Sequence, residues 1–538
     1  MAKNKSVKKT KKKIPVQKDK ISVKETFTKL IKSSYFGLSL AGSYFVILLI
    51  LSFLFHKVGD YGVETDFFWS YVPAAKSFLN GNLQIDPFRG PIYAIILGLV
   101  NLIISDYFYS GIIIGIISAA IVIFLTFELL KRIFSPTVAF FVSLILAVNP
   151  IFVQYTYSAG TDMVFIALAT ATLFFFFKDK QLNYKNLVIA AMLGGLSYLT
   201  RYNGLFLLGF IFIILFVNYW DIPWIERMRS SAFYLVTFVI TITPWGIYCL
   251  NEKGSFFYNE NYKNLAYELY GKGIIAWDQF WFKESSSFTS LFDVITREPT
   301  KFISTIVGNV GEHFLLDMER LMGWYVGGFT ILGLIFLLFL NPVKNWKYRE
   351  TGYYFSNIFF FALLLLVFYS ERFSIFLISF YGVIAVQPFF REKLADNKRI
   401  PLKVGYFIVI SLIVVNLAKS ISFNSSRINS GPKELLVLQD WYNNNIPLSE
   451  RGLKLATRKP HAAYYLDMEF YLLPMADNYE EFIQKLKHNN VDFLYFSPIE
   501  ASMRRELQVL LNPNSNHPGL EVVVYFNNPP SVLYRVIH

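Results

Sequence analysis

At 538 residues, 54% hydrophobic and 18% aromatic, with a mean hydropathy of +0.41, the chain carries more apolar surface than a soluble core can hide. Repeated apolar runs of spanning length exclude a soluble globular protein and indicate a multi-pass membrane protein. The net charge of +13 is uneven: residues 1–32 hold twelve lysines against Asp19 and Glu25, a balance of +10.

Taken in chain order, that lysine-rich segment (1–36) lies next to the first apolar run. It therefore reads as a cytoplasmic tail on anionic lipid rather than as a nucleic-acid arm. The first apolar run is distant from Met1 and long enough to remain an anchor rather than a cleaved signal. Spans are expected at about 37–55, 108–129, 136–155, 163–177, 187–200, 204–219, 231–250, 323–340, 353–369, 373–390 and 402–418. The stretch "PIYAIILGLVNLIIS" (91–105) is expected to stay at the surface as a juxtamembrane helix. Were it to cross, Lys131 and Arg132 would fall outside and every later basic loop would invert. Left uncrossed, "KDKQLNYK", "ERMR", "KNWKYR" and "REKLADNKR" all face the cytoplasm. Eleven spans then place outside the loops 56–107 and 251–322 and everything from about residue 421. The region 421–538 reads as a small α/β domain: "NYEEFIQKLKHNNVDFLYF" is a helix, a stop and a strand, and "GLEVVVYFNNPPSVLYRVI" is two strands about an Asn-Pro turn.

Charges at the outer edge of these spans are the candidates for chemistry, because ionised groups at membrane depth are costly. In "GVETDFFWSYVPAAKSFLNGN", Thr65 can cap a helix starting at Asp66, whose carboxylate the helix dipole would keep ionised, and Asn80-Gly81 can end it. Asp66 is thus either a cap or a reactive carboxylate, with Glu64 beside it. Gly90-Pro91 is a helix start, and Arg89 before it either binds a phosphate or snorkels to headgroups. Asp162 sits at the outer end of the fourth span. Arg201 interrupts an apolar stretch of about thirty residues at a turn, just after Gly194 and Gly195, which permit close helix contact. Glu371 and Arg372 form another outer turn, either as a pair with each other or as site residues. One cysteine and six histidines fit no zinc spacing, and no nucleotide-binding or nucleophile-elbow motif is present.

Together and in this order, "TDFFWSYVPAAKSFLNGN", "RGPIYA", "NPIFVQYTYSAGTDMVF", "GGLSYLTRYNGL" and "SERFSIFLI" resemble the GT-C membrane glycosyltransferases. The nearest likeness is to the glycosyltransferase 39-like group, related to protein O-mannosyltransferases and bacterial aminoarabinose transferases. The likeness covers residues 37–420 and implies a GT-C fold of about eleven spans with juxtamembrane helices. It implies Asp66 as catalytic base, Asp162 as the second acid and Arg201 as the basic position. Relatives often begin the first motif with Asp-Glu; here Phe67 follows Asp66 and Glu64 precedes it, which keeps Glu64 as the reserve carboxylate. Arg89-Gly90-Pro91 stands where relatives carry His-Pro-Pro or Lys-Pro-Pro. The expected activity is inverting transfer of a sugar from a polyprenyl-phosphate donor to an acceptor hydroxyl at the outer face of a cell membrane. Glu64, Tyr71, Arg89, Arg201, Glu371 and Arg372 would contact substrate. No cofactor is required, a divalent metal is compatible, and no nucleic acid is involved. A lipid or solute transporter is the alternative, but its polar groups would line a path through the whole membrane.

Overall fold

The computed structural model describes residues 29–217, 222–339, 347–390, 401–450, 453–476 and 478–538. Most of the lysine tail, the loop "REKLADNKR" and part of "KNWKYR" lie outside them.

Most expected spans coincide with a single helix, but 204–219 is instead a 3-10 turn (Tyr202–Leu208), a short α-helix (Gly209–Phe212) and a π-helical turn (Ile213–Val217), with 218–219 outside the described residues. Ser34–Phe55, Tyr107–Ile133, Trp224–Lys253, Glu371–Phe390 and Leu402–Arg427 are long and apolar enough to cross a membrane. Ser34–Phe55 is apolar all round and exposes Leu38, Ile47 and Leu54, a surface suited to lipid and not to water. The expected span 136–155 is instead two helices, Pro136–Ala147 and Pro150–Tyr157, bent by 61°. The cause is local: Asn149 accepts hydrogen bonds from the Ile151 and Phe152 amides and Pro150 opens the second helix. Asp162–Phe176, Tyr184–Thr200, Gly323–Phe339 and Tyr348–Leu364 are shorter, at 15 to 17 residues. The segment 91–105 forms the 13-residue helix Ile92–Ile104, about 20 Å long at ~1.5 Å per residue and too short for a hydrocarbon core of roughly 30 Å. It starts one residue later than Gly90-Pro91 suggests, with Pro91 as the cap.

Basic loops gather at one end of the helix bundle. Arg349 donates to the Arg132 carbonyl, Tyr348 to the Lys180 carbonyl, and the Tyr184 hydroxyl to Glu226. The opposite end carries the C-terminal domain, a five-stranded mixed sheet of β1 (Lys454–Thr457), β2 (Glu469–Leu472), β3 (Phe493–Phe496), β4 (Leu520–Asn527) and β5 (Pro530–Val536) in the order β2-β1-β3-β5-β4. The first three are parallel and the hairpin β4–β5 is antiparallel. The helix Tyr479–His488 packs Phe482, Ile483 and Leu486 into the sheet's core, and Asn490 follows in the left-handed region. The domain sits directly on the loop after the first span. The Gly59 amide donates to the Tyr465 hydroxyl at 3.2 Å, and His461 lies against the rings of Tyr61 and Phe68.

Candidate active site

Asp66 does not cap a helix. The chain after Thr65 enters a π-helical turn, Phe67–Tyr71, continuing as the α-helix Val72–Leu79, and the Asp66 carboxylate accepts no backbone hydrogen bond there. Thr65 hydroxyl donates instead to the Tyr61 carbonyl. Phe67, Phe68, Tyr71, Val72 and Ala75 are buried, while Asn80 and Gly81, the latter at φ +85°, end the helix as their sequence suggests. With its apolar neighbours anchored, Asp66 turns toward guanidinium groups from distant parts of the chain.

Arg89 Nη2 donates to Asp66 Oδ2 at 3.0 Å, and Arg372 Nη1 reaches the same oxygen at 3.2 Å. Arg372 also donates through Nε to Asp162 Oδ2 at 2.9 Å, and Arg201 pairs with Asp162 Oδ1. Arg89 is steadied by Asp86 at 3.3 Å and by the face of Tyr71, 4.8 Å from its centroid. Tyr71 hydroxyl lies 3.1 Å from Thr161 Oγ1, next to Asp162. Three arginines and the acids Asp66, Asp86 and Asp162 thus form one charge-balanced chain.

Each group is placed by its backbone. Gly90 lets the Arg89 turn lie against the end of Tyr184–Thr200: a Cβ there would stand 2.1 Å from the Leu199 carbonyl oxygen. Arg201 is the extended residue that closes that helix, and Gly194 and Gly195 pack the helix onto Tyr234, Phe238 and Thr241. Arg372 is held by its flank: Tyr369 donates to Asp317 at 3.1 Å, and Tyr381 donates to the same buried carboxylate at 2.7 Å. Glu371 does not pair with Arg372; it faces Arg320 at 3.8 Å.

Burial alone would raise the Asp66 pKa, but the guanidiniums of Arg89 and Arg372 outweigh it and hold the carboxyl down to about 2. Asp66 keeps 38% of its side chain exposed, so solvent weakens this pull. Both guanidinium contacts fall on Oδ2, and neither uses Oδ1.

Glu64 occupies a different place. It is fully buried, its Oε1 accepts from the Ala159 amide at 2.6 Å, its Oε2 from the Asp60 amide at 2.7 Å, and His56 Nε2 lies 3.1 Å away. Gln has one acceptor oxygen and cannot serve both amides. Glu64→Gln is therefore expected to lower the melting temperature, at a cost on the order of 2 kcal/mol, with turnover per folded molecule largely kept. Lost turnover at an unchanged melting temperature would make Glu64 the reactive acid.

Two site residues carry little sequence signal. Asp86 could have been suspected from its i, i+3 spacing to Arg89. Lys459, whose ammonium donates to Thr65 Oγ1 at 3.1 Å, comes from the C-terminal domain, where its loop is fixed by Glu500 accepting from Thr457 Oγ1 and the Arg458 amide. Among the described residues no three His, Cys, Asp or Glu side chains gather as a metal site.

Comparison with known proteins places the fold. Residues 88–248 match the family profile described as dolichyl-phosphate-mannose-protein mannosyltransferase. No curated protein sequence matches the chain significantly. The fold is similar to that of the archaeal oligosaccharyltransferase AglB from Archaeoglobus fulgidus, solved with an inhibitory peptide and a dolichol-phosphate (TM-score 0.57, 13% identity, 88% of this chain and 70% of that one). It is also similar to ArnT from Cupriavidus metallidurans bound to undecaprenyl phosphate (TM-score 0.54, 12% identity, 91% and 97%). A further structure of the A. fulgidus oligosaccharyltransferase, in complex with Zn and sulfate, gives TM-score 0.55 at 13% identity over 85% and 68%. At such identities the likeness is one of fold. The fold is thus that of GT-C membrane glycosyltransferases, and the profile match begins at the Arg89 turn and runs past Arg201.

Proposed function

We propose that the protein moves a sugar from a polyprenyl-phosphate donor to an acceptor hydroxyl, with inversion, at the membrane face that bears the C-terminal domain. The observation that carries this reading is the joining of Asp66 and Asp162 by Arg89, Arg201 and Arg372 directly beneath that domain. The structural neighbours solved with dolichol-phosphate and undecaprenyl phosphate support the donor class. In the reaction, Asp66 Oδ1 takes the proton of the acceptor hydroxyl. The acceptor oxygen bonds to the anomeric carbon as the carbon–oxygen bond to phosphate breaks, and the lipid phosphate leaves with the bonding electrons. The leaving group is already an anion and needs positive charge more than a proton, which Arg89, Arg372 and Arg201 supply. Asp162 orients Arg201 and Arg372; Tyr71 backs Arg89 with its ring. Glu371 lies at the rim with Arg320. A metal ion is assigned no step.

The transporter reading predicts polar groups through the depth of the bundle, whereas this cluster lies at one end, opposite the basic loops. Incubating the purified protein with a panel of polyprenyl-phosphate sugars should release lipid phosphate with at least one donor in the presence of an acceptor extract. Release with none, alongside lipid movement in proteoliposomes, would establish the alternative.

Orientation follows from the basic loops. Cysteines introduced at Asn82 and Ser430 are expected to react with an impermeant reagent from outside the cell, and one at Gln181 is not. Protection at Asn82 with labelling at Gln181 would put the site on the cytoplasmic face.

A further inference from the structure

The site sets its base and its anion-binding groups against each other. Asp66 Oδ2 receives Arg89 Nη2 and Arg372 Nη1, two N–H groups converging on one oxygen. A phosphodiester presents two charged oxygens to such a pair of donors and is a good match for guanidinium forks. Each of these arginines has a second acidic partner: Arg89 Nη1 faces Asp86, and Arg372 Nε faces Asp162, whose other oxygen holds Arg201. The N–H groups turned to Asp66 are therefore the ones whose partner is the most exposed of the three acids, at 38% against 18% for Asp86 and 6% for Asp162. Of these three acids, Asp66 is the least enclosed.

We propose that Asp66 and the donor phosphate compete for the same guanidinium groups of Arg89 and Arg372, so that seating the donor releases the base. This rests on the donor class given above and adds an order to the reaction: donor first, acceptor second. Gripped by two arginines, Asp66 is a weak proton acceptor, because a base works best with its pKa near the working pH. A phosphate taking those N–H groups removes the attraction that depresses Asp66 and adds a neighbouring negative charge, and both changes strengthen it as a base. An acceptor arriving before the donor would meet a carboxylate still held by arginine.

Competition has a consequence that a simple supporting role for Asp66 lacks: removing the carboxylate should improve binding of the lipid phosphate. Purified full-length protein in detergent is titrated with undecaprenyl phosphate, the carrier without sugar, and the dissociation constant is compared between wild type and Asp66→Asn. The variant is expected to bind about tenfold more tightly, the equivalent of one pKa unit of lost competition. Asp66→Ser provides a second variant should the first purify poorly, and Arg89→Gln should weaken binding. Unchanged or weaker binding in both Asp66 variants, at wild-type melting temperature, would overturn the competition. Turnover of the same variants tests the proposed chemistry separately: dead variants with unaltered affinity would leave Asp66 as base and remove only the coupling.

Discussion

Asp66→Asn is expected to lower turnover with a competent donor and acceptor by about 10²–10⁴-fold, the range for losing general-base assistance, while expression and melting temperature stay close to wild type. The substitution keeps shape, and Asn Oδ1 can still accept from Arg89 or Arg372. Folding has little to lose, since Asp66 makes no capping bond and its side chain remains partly exposed. What disappears is the proton acceptor. The measurement is steady-state release of lipid phosphate, normalised to folded protein. Near-normal turnover in Asp66→Asn would remove the base from the mechanism, and a collapse in Glu64→Gln instead would move it one turn back along the loop. The geometry argues against that exchange. Glu64 is enclosed by His56 and two amides, whereas Asp66 is the carboxylate that Arg89 and Arg372 bring to the cluster.

Hydropathy made the helices legible, because a lipid-facing helix must be apolar whatever its neighbours are. It missed the bend within 136–155, where Asn149-Pro150 is a cap followed by a proline at the first helical position, a start signal buried in a continuous apolar run. Parity of the basic loops favoured a juxtamembrane helix at 91–105, where the chain forms the 13-residue helix Ile92–Ile104. In the C-terminal domain, the amphipathic period of Tyr479–His488 and the Asn-Pro turn exposed half of the sheet. The short strands Lys454–Thr457 and Glu469–Leu472, at four residues each, were too brief to show a period of two. For the site, single charges at membrane edges pointed to Asp66, Arg89, Asp162, Arg201 and Arg372 one at a time. Their pairing was not legible. Arg372 lies 306 residues from Asp66 and 210 from Asp162, and local rules favoured its pairing with adjacent Glu371. Lys459 beside Thr65, at a separation of 394 residues, belongs to a domain whose docking no local pattern announces.

Arg372→Gln is expected to cost about 10²–10³-fold in kcat/KM for the donor, the scale for removing one preorganised charged donor from a developing anion. Arg372 is the one guanidinium that bridges both acids, with Nε on Asp162 and Nη1 on Asp66. Its loss removes a phosphate contact and leaves Asp66, Asp86 and Asp162 facing only Arg89 and Arg201, a net negative cluster that repels the donor. Arg372→Lys keeps the charge, but a single ammonium on a flexible stem cannot hold the fork across two carboxylates. It should recover only part of the lost rate, mainly through KM. Because Tyr369, Tyr381 and Asp317 brace the surrounding turn without using the guanidinium, the backbone there should survive either change, which limited proteolysis and melting temperature will register. Donor kinetics unchanged in Arg372→Gln would mean that the phosphate is held elsewhere and that the Asp66–Arg372–Asp162 bridge serves only to join the loop after the first span to the helix Asp162–Phe176.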